Sequence, residues 1–174
     1  MLLNHAAEAD FPEIIELVNL AFRGSGPISS WNIEAGIIEG QRINESLLIE
    51  DLTAKPEAHF LLHRDPDDRT LLGTAWLDPG ADGIWYLGLL TVRPSLQNQH
   101  LGRALLTAAE DFAKKRGAYR IRMTVVNVRG TLIAWYERRG YTLTGETKPF
   151  PYSDNRFGTP LRDDLHFVVL QKDI

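Results

Sequence analysis

Apolar residues recur along this chain in two rhythms, one every three to four positions and one every second position. Ile14, Ile15, Val18, Leu20 and Phe22 follow the first rhythm, which predicts a helix with a broad apolar face. Asp10 can cap it with Pro12 in its first turn, and Gly24, Gly26 and Pro27 end it. Ahead of it, Leu2 to Ala6 reads as a short strand. A second helix is expected over Asn32 to Glu39, and the spacing in Ser46 to Ala54 allows another short one. His59 to Arg64 and Thr70 to Leu77 read as a hairpin joined by the acidic turn DPDD. Gly83 to Val92 is a nearly unbroken apolar run, as in a central strand covered on both faces. Leu101, Leu105, Ala108, Ala109 and Phe112 form the stripe of a long helix. Lys114, Lys115 and Arg116 suit its C-terminal end, and Gly117 suits the left-handed position beyond it. Tyr119 to Val126 alternates, with Ile121, Met123 and Val125 facing in and Arg120, Arg122 and Thr124 facing out. Thr131 to Arg138 is a helix closed by Gly140; Tyr141 to Gly145 and Leu165 to Leu170 are the last strands. No repeat, linker or low-complexity stretch interrupts this order. One α/β domain over residues 1–174, with about six or seven strands, is the simplest reading.

The stretch from Val92 to Gly117 carries the most chemistry. A strand runs into Pro94, a polar loop, Gly102 and then the long helix. That order leaves free backbone N–H groups at a helix N-terminus, where about half a positive charge attracts phosphate. A phosphorylated small molecule or cofactor is expected there. The loop lacks the GK[ST] of a P-loop and has one glycine where a dinucleotide fingerprint has three.

Composition narrows the class. A length of 174 residues suits one domain with a sizeable core, and 44% hydrophobic with 24% charged residues is ordinary for a globular chain. A net charge of −4 argues against nucleic acid as a partner. With no cysteine, disulfides, thiolate metal sites and a cysteine nucleophile are excluded. No apolar run is long enough to span a membrane, and the first residues, MLLNHAAEADF, lack the basic head and apolar core of a signal peptide. A cytoplasmic location is the default expectation.

The loop resembles the acyl-CoA loop of the GNAT superfamily of N-acetyltransferases. That family's pattern is V-x-P-x-x-[QR]-x-x-G-x-[GA] followed by an apolar helix. Val92, Pro94, Gln97 and Gly102 match it, and His100 replaces the first glycine. His100 must take an ordinary backbone conformation or bear the cost of a left-handed one. It is either tolerated there or adds a donor to phosphate. The segment NVRGTLIAWYERRGYTLTGE is also similar to the family's second signature, with Tyr136, then Gly140 four residues on, then Tyr141 opening a strand. The family's asparagine lies seven residues before its tyrosine, whereas Asn127 lies nine before Tyr136. The helix ending in VNLAFRG, with its glycine-serine-proline loop, resembles the family's first helix and substrate loop. The likeness spans nearly the whole chain, apart from Pro149 to Leu161.

The resemblance implies a mixed, mostly antiparallel sheet of six or seven strands, helices on both faces, and central strands that splay apart. It implies acetyl-CoA as cofactor and a primary amine of a small molecule or peptide as acceptor. Leu90, Thr91 and Val92 would pair with the pantetheine amides as an added strand does. The N–H groups of Gln97, Asn98, Gln99, His100, Leu101, Gly102 and Arg103 would wrap the pyrophosphate, and Asn127 is a further contact. Arg103 would add charge or remain a solvated helix residue.

Direct transfer needs no protein nucleophile. It needs the reactants oriented, a proton taken from the amine, and the departing thiolate protonated or stabilised. Tyr136 fits the last task, since a phenol is protonated at neutral pH; the plain alternative is a core aromatic, which suits Trp135 better. For the base, Glu34 is the candidate, with Asp154, Asp163, Asp164 or a chain of waters as alternatives. His59 and His63 are four apart, a zinc spacing only on a helix, and they fall on a strand, so no metal is expected. His166 reads as a half-exposed strand residue. Two segments, Gly24 to Trp31 and KPFPYSDNRFGTPLRDD, are expected to set acceptor specificity. The acids of the second suggest a cationic acceptor, though the same loop would also serve as a homodimer contact. The competing reading is a non-catalytic acyl-CoA sensor, to which His100 gives weight.

Overall fold

In a computed structural model the described residues are 1–24, 33–34, 36–97 and 99–174. Expectations for Ser25 to Asn32, for Ala35 and for Asn98 lie outside that set. Strands β1 (Asn4–His5), β3 (His59–Arg64), β4 (Leu71–Pro79), β5 (Ile84–Val92), β6 (Arg120–Val126), β7 (Thr142–Pro149) and β9 (His166–Asp173) form one sheet. Its order is β1-β3-β4-β5-β6-β9-β7, antiparallel except for the β5–β6 pair. Helices α1 (Phe11–Arg23) and α2 (Glu45–Ala54) cover one face, and α3 (Leu101–Lys114) and α4 (Gly130–Glu137) the other.

Alternation along the strands divides the core. Phe60, Leu62 and Trp76 pack with Ile14, Leu17, Val18 and Leu48. Their neighbours Leu61, Ala75 and Leu77 pack with Leu106, Ala109, Ala113 and Tyr136. The expected inward set of β6, Ile121, Met123 and Val125, is buried as well. Gly117 and Gly140 close their helices at φ of 91° and 88°, the region where a Cβ is penalised. No helix among the described residues is long and apolar enough to cross a membrane.

The helix expected over Asn32 to Glu39 does not form among its described residues. Gly36 sits at φ of 79°, and Ile38–Glu39 is instead a short strand, β2, paired with β8 (Thr159–Pro160). Tertiary burial decides this: Ile38 joins Val126, Phe150 and Leu165 in a small core that a helical turn would leave open. The first strand is also shorter than expected and the last two run further, to Pro149 and Asp173.

Candidate active site

Strand β5 cannot follow both neighbours, and that mismatch opens the site. It pairs with β6 only from Ile84 to Tyr86, opposite Arg120 to Arg122, and then diverges. On its other side a register shift between Thr74 and Trp76 gives β5 one residue more than β4. The bulge falls at Leu89, whose φ of 43° is unusual for a branched residue. Its carbonyl accepts the hydroxyls of Thr74 and Thr91 at 2.9 and 3.1 Å. Beyond it, Arg93 N–H donates to Leu72 O of β4 at 2.9 Å. Strand amides alternate sides, so Thr91 also faces β4 while Val92 faces the edge that β6 has left. Of the three residues expected to offer their backbone there, Thr91 is therefore turned away and buried.

Two cavities flank this edge. The larger, about 530 Å³, lies between α1, α2, β5, β6 and the segment following β7. The smaller, about 330 Å³, lies between Val92, the start of α3 and α4. Leu90, Leu132 and Tyr136 line both.

The smaller cavity is basic. Gln97, His100, Gly102 and Arg103 line it on one side, and Trp135, Arg138 and Arg139 on the other. His100 occupies the position before α3 at φ 61°, ψ 3°. It thus takes the left-handed conformation rather than an ordinary one, at a cost of about 1–2 kcal/mol. Its carbonyl accepts Ala104 N–H, which leaves Leu101, Gly102 and Arg103 N–H without a helical acceptor. Gln97 N–H does not join them, because it donates to Pro94 O at 3.2 Å. Gln99 is exposed and lines neither cavity. A Cβ built on Gly102 would meet Trp135 at 3.5 Å and Val92 at 3.7 Å, so the glycine keeps the cavity floor low.

Nothing in the sequence singled out Arg138 or Arg139, and Trp135, expected in the core, is half-buried and lines this cavity. Arg139 stacks on Trp135 at 3.5 Å and donates to its carbonyl at 2.6 Å, while its Nε is buried without a partner. Burial, then Arg138 and Arg103, lowers the pKa of the Arg139 guanidinium. No acid lines this cavity. Doublets of arginine at a helix end read as solvated charge, and only the fold shows that they face the α3 terminus.

Tyr136 stands at the junction, 7% exposed, with edge contacts to Trp135 and Tyr141. Its hydroxyl has no hydrogen-bond partner among the described residues. Burial, then Tyr86, pushes the phenol pKa up, against a smaller lowering by Arg129 and Arg139. Glu34 lines the larger cavity, 5% exposed. One carboxylate oxygen pairs with Arg23 and the other accepts from Arg129 at 2.8 Å. It can take a proton only on an oxygen that surrenders a guanidinium contact.

Asn127 is not brought to either cavity. Its amide donates to Asp164 O and accepts from His166 N, both at 3.1 Å, and so fixes the start of β9. Asp154 accepts from Arg156 N, Asp164 pairs with Arg162, and neither they nor Asp163 line a cavity. His59 packs on Trp85 and Phe112, and His63 contacts Leu2 O at 3.1 Å. Lys148, Phe150, Arg156 and Phe157, from the segment expected to recognise the acceptor, line the larger cavity.

A splayed sheet, a basic cavity at a helix terminus and a buried tyrosine between two cavities are the frame in which kinship can be judged. The model of the acetyltransferase (GNAT) family matches residues 12–141 of the 174. The chain belongs to that family. It is similar to a mycothiol acetyltransferase from Beutenbergia cavernae, 33% identical over 107 residues; the match takes in 56% of this chain and 35% of that one. The chain thus spans about a third of that relative's length. Among solved structures it resembles a ribosomal-protein-alanine N-acetyltransferase from Brucella melitensis, with a TM-score of 0.68, 19% identity and 100% of both chains covered. It also resembles a GNAT acetyltransferase from Elizabethkingia anophelis with acetyl-CoA bound, with a TM-score of 0.62 and 17% identity over 75% of this chain and 84% of that one. These likenesses support the mixed, mostly antiparallel fold expected from the sequence.

Proposed function

We propose that the protein is an acetyl-CoA-dependent N-acetyltransferase that passes an acetyl group to a primary amine of a small molecule or peptide by direct attack. The observation that carries this is the meeting of two chemically unlike cavities at Leu90, Leu132 and Tyr136. The smaller fits a diphosphate, with free N–H groups and Arg103 at the α3 terminus and two guanidinium groups, Arg138 and Arg139, opposite. The open edge at Val92 suits a pantetheine chain, whose amides need backbone partners. Bound there, acetyl-CoA supplies the acetyl group as an activated thioester.

The chain's own residues do the rest. The cavity walls hold thioester and amine in one place, and orientation of that kind lowers a barrier by about 7–11 kcal/mol. Tyr136 stays a neutral donor because burial disfavours its phenolate. The same burial disfavours complete proton transfer, so Tyr136 acts chiefly as a hydrogen-bond donor to the departing sulfur. Glu34 is held by two arginines, and in this reading it positions Arg129 while water in the cavity takes the amine's proton. The sensor reading rested on His100, and its left-handed backbone weakens that ground.

Calorimetry with acetyl-CoA, ATP and NAD, followed by a thiol-release assay over an amine panel, tests the proposal. Selective heat with acetyl-CoA and amine-dependent thiol release are expected. No heat would sink it, and binding without release would favour the sensor.

A further inference from the structure

The larger cavity has a charge imbalance that its acceptor must answer. Its wall carries five cationic side chains and three acidic ones. All three acids are engaged: Glu34 with Arg23 and Arg129, Asp51 with Arg156, and Asp78 with Lys55 at 3.0 Å. Arg42 and Lys148 are left with no acidic partner among the described residues. Residues 25–32, 35 and 98 include no Asp or Glu, so the remaining chain cannot supply one.

Lys148 is exposed at the rim, but Arg42 is not. Its backbone N–H is held by Asn19 Oδ1 at 2.6 Å, which fixes where the side chain starts. The guanidinium lies over Phe22 at 5.5 Å and Phe157 at 4.8 Å. Aromatic faces attract a cation but leave its N–H donors unmet. Burial lowers its pKa, opposed by Glu34 and, more weakly, by Asp51, neither of which forms an ion pair with it. A half-buried cation with no direct ion pair carries a cost that an incoming anion lessens. Arg42, Tyr86 and Tyr136 all line this cavity, so the guanidinium and the reacting end share one space.

We propose that the acceptor is an amine that also bears a carboxylate, an amino acid with an apolar side chain, and that Arg42 pairs with that carboxylate while Trp76 and Phe150 flank the side chain. This rests on the transferase reading above and reverses the cationic acceptor suggested by the acidic loop, whose own acids stand outside the cavity. A planar guanidinium matches a carboxylate with two parallel hydrogen bonds, which selects it over an amide.

Three matched sets provide the test: L-phenylalanine, L-leucine and L-methionine, each against its primary amide and its decarboxylated amine, with acetyl-CoA as donor. The free acids are expected to show kcat/KM higher by about 30-fold or more. Arg42→Gln should abolish that preference through KM, and Arg42→Lys should retain part of it. The melting temperature of Arg42→Gln should hold or rise, since a half-buried charge without an ion pair is removed; a marked fall would mark Arg42 as structural and overturn the proposal. Equal rates for acids and amides would also overturn it. If nothing in the panel turns over, calorimetry with N-acetyl-L-phenylalanine and N-acetylphenethylamine decides, and absence of acid-selective binding counts against the proposal. Failure of the transferase reading looks different, as no heat with acetyl-CoA at all.

Discussion

Replacing Gly102 with alanine should move stability and affinity in opposite directions. Gly102 lies in the first turn of α3 without a positive φ, so alanine fits its backbone. The added Cβ would make only ordinary contacts, at 3.5 Å to Trp135 and 3.7 Å to Val92. Nothing in the protein must shift, and the helix gains about 0.5–1 kcal/mol from the lower backbone entropy of the unfolded chain. For a chain of this size that raises Tm by roughly 1–4 °C. Both neighbours of the new methyl line the smaller cavity, so the methyl raises its floor just where Gly102 N–H faces a ligand. A phosphate oxygen held off by that methyl loses a charge-assisted hydrogen bond worth about 1.5–3 kcal/mol, roughly a tenfold to hundredfold loss in affinity. Thermal unfolding of the free protein and calorimetry with acetyl-CoA measure the two effects on one sample. Unchanged affinity would refute the phosphate assignment. A fall in Tm would refute the claim that the glycine serves the ligand rather than the fold.

His100→Gly should relieve the left-handed strain and stabilise the fold by about 1 kcal/mol with acetyl-CoA affinity kept or improved; a marked loss of affinity in calorimetry would show that the imidazole makes a contact. Tyr136→Phe should lower kcat about tenfold to hundredfold while acetyl-CoA affinity changes less than about twofold, and turnover equal to the parent would remove the phenol from the mechanism. Alkaline pH should destabilise the protein through Tyr136 and Tyr141, whose pKa values burial raises, Tyr141 further through its 2.9 Å bond to Glu110. The unfolded chain releases these protons near pH ~10 and the folded one does not, so stability is full below that pH and falls by about 1.4 kcal/mol per unit per tyrosine above it. Urea titrations from about pH 9.5 to 11.5 should show Tyr136→Phe halving that slope, and an unchanged slope would argue against the burial effect.

Local signals in the sequence were sufficient wherever they agreed with burial. Gly117 and Gly140 close helices as their backbone freedom allows, and the alternation in Arg120–Val126 survives intact. Asp10 precedes α1 as expected but does not cap it: its carboxylate accepts from Ala7 N–H and pairs with Arg64 instead. Local signals failed where a distant partner decides. Ile38 is drawn into a strand by Pro160, more than a hundred residues away, and no local pattern encodes that pairing. Glu110 of α3 is buried, with Tyr141 donating to it and Lys172 pairing with it at 2.7 Å, partners that no local pattern announces. Arg42 and Arg139 were invisible for the same reason. Surface and cavity arginines are alike in sequence, and only the third dimension shows which acids reach them.

The distribution of charge explains why the two cavities would not be interchangeable. The smaller offers Arg103, Arg138 and Arg139 and no acid. The larger has its acids already committed, each bridged to a cation of its own wall or to Arg23. A diphosphate entering the larger cavity would meet Glu34, Asp51 and Asp78, and could displace them from their cations only by leaving three carboxylates unpaired in a partly desolvated space. Entering the smaller, it displaces nothing and lessens the mutual repulsion that lowers the Arg139 pKa. In the proposed reading that asymmetry decides which end of the donor goes where. The acyl end would then lie at Leu90, Leu132 and Tyr136, the uncharged residues that line both cavities among those described. The phenol there has no competing acceptor among the described residues, so its hydrogen bond remains available for sulfur.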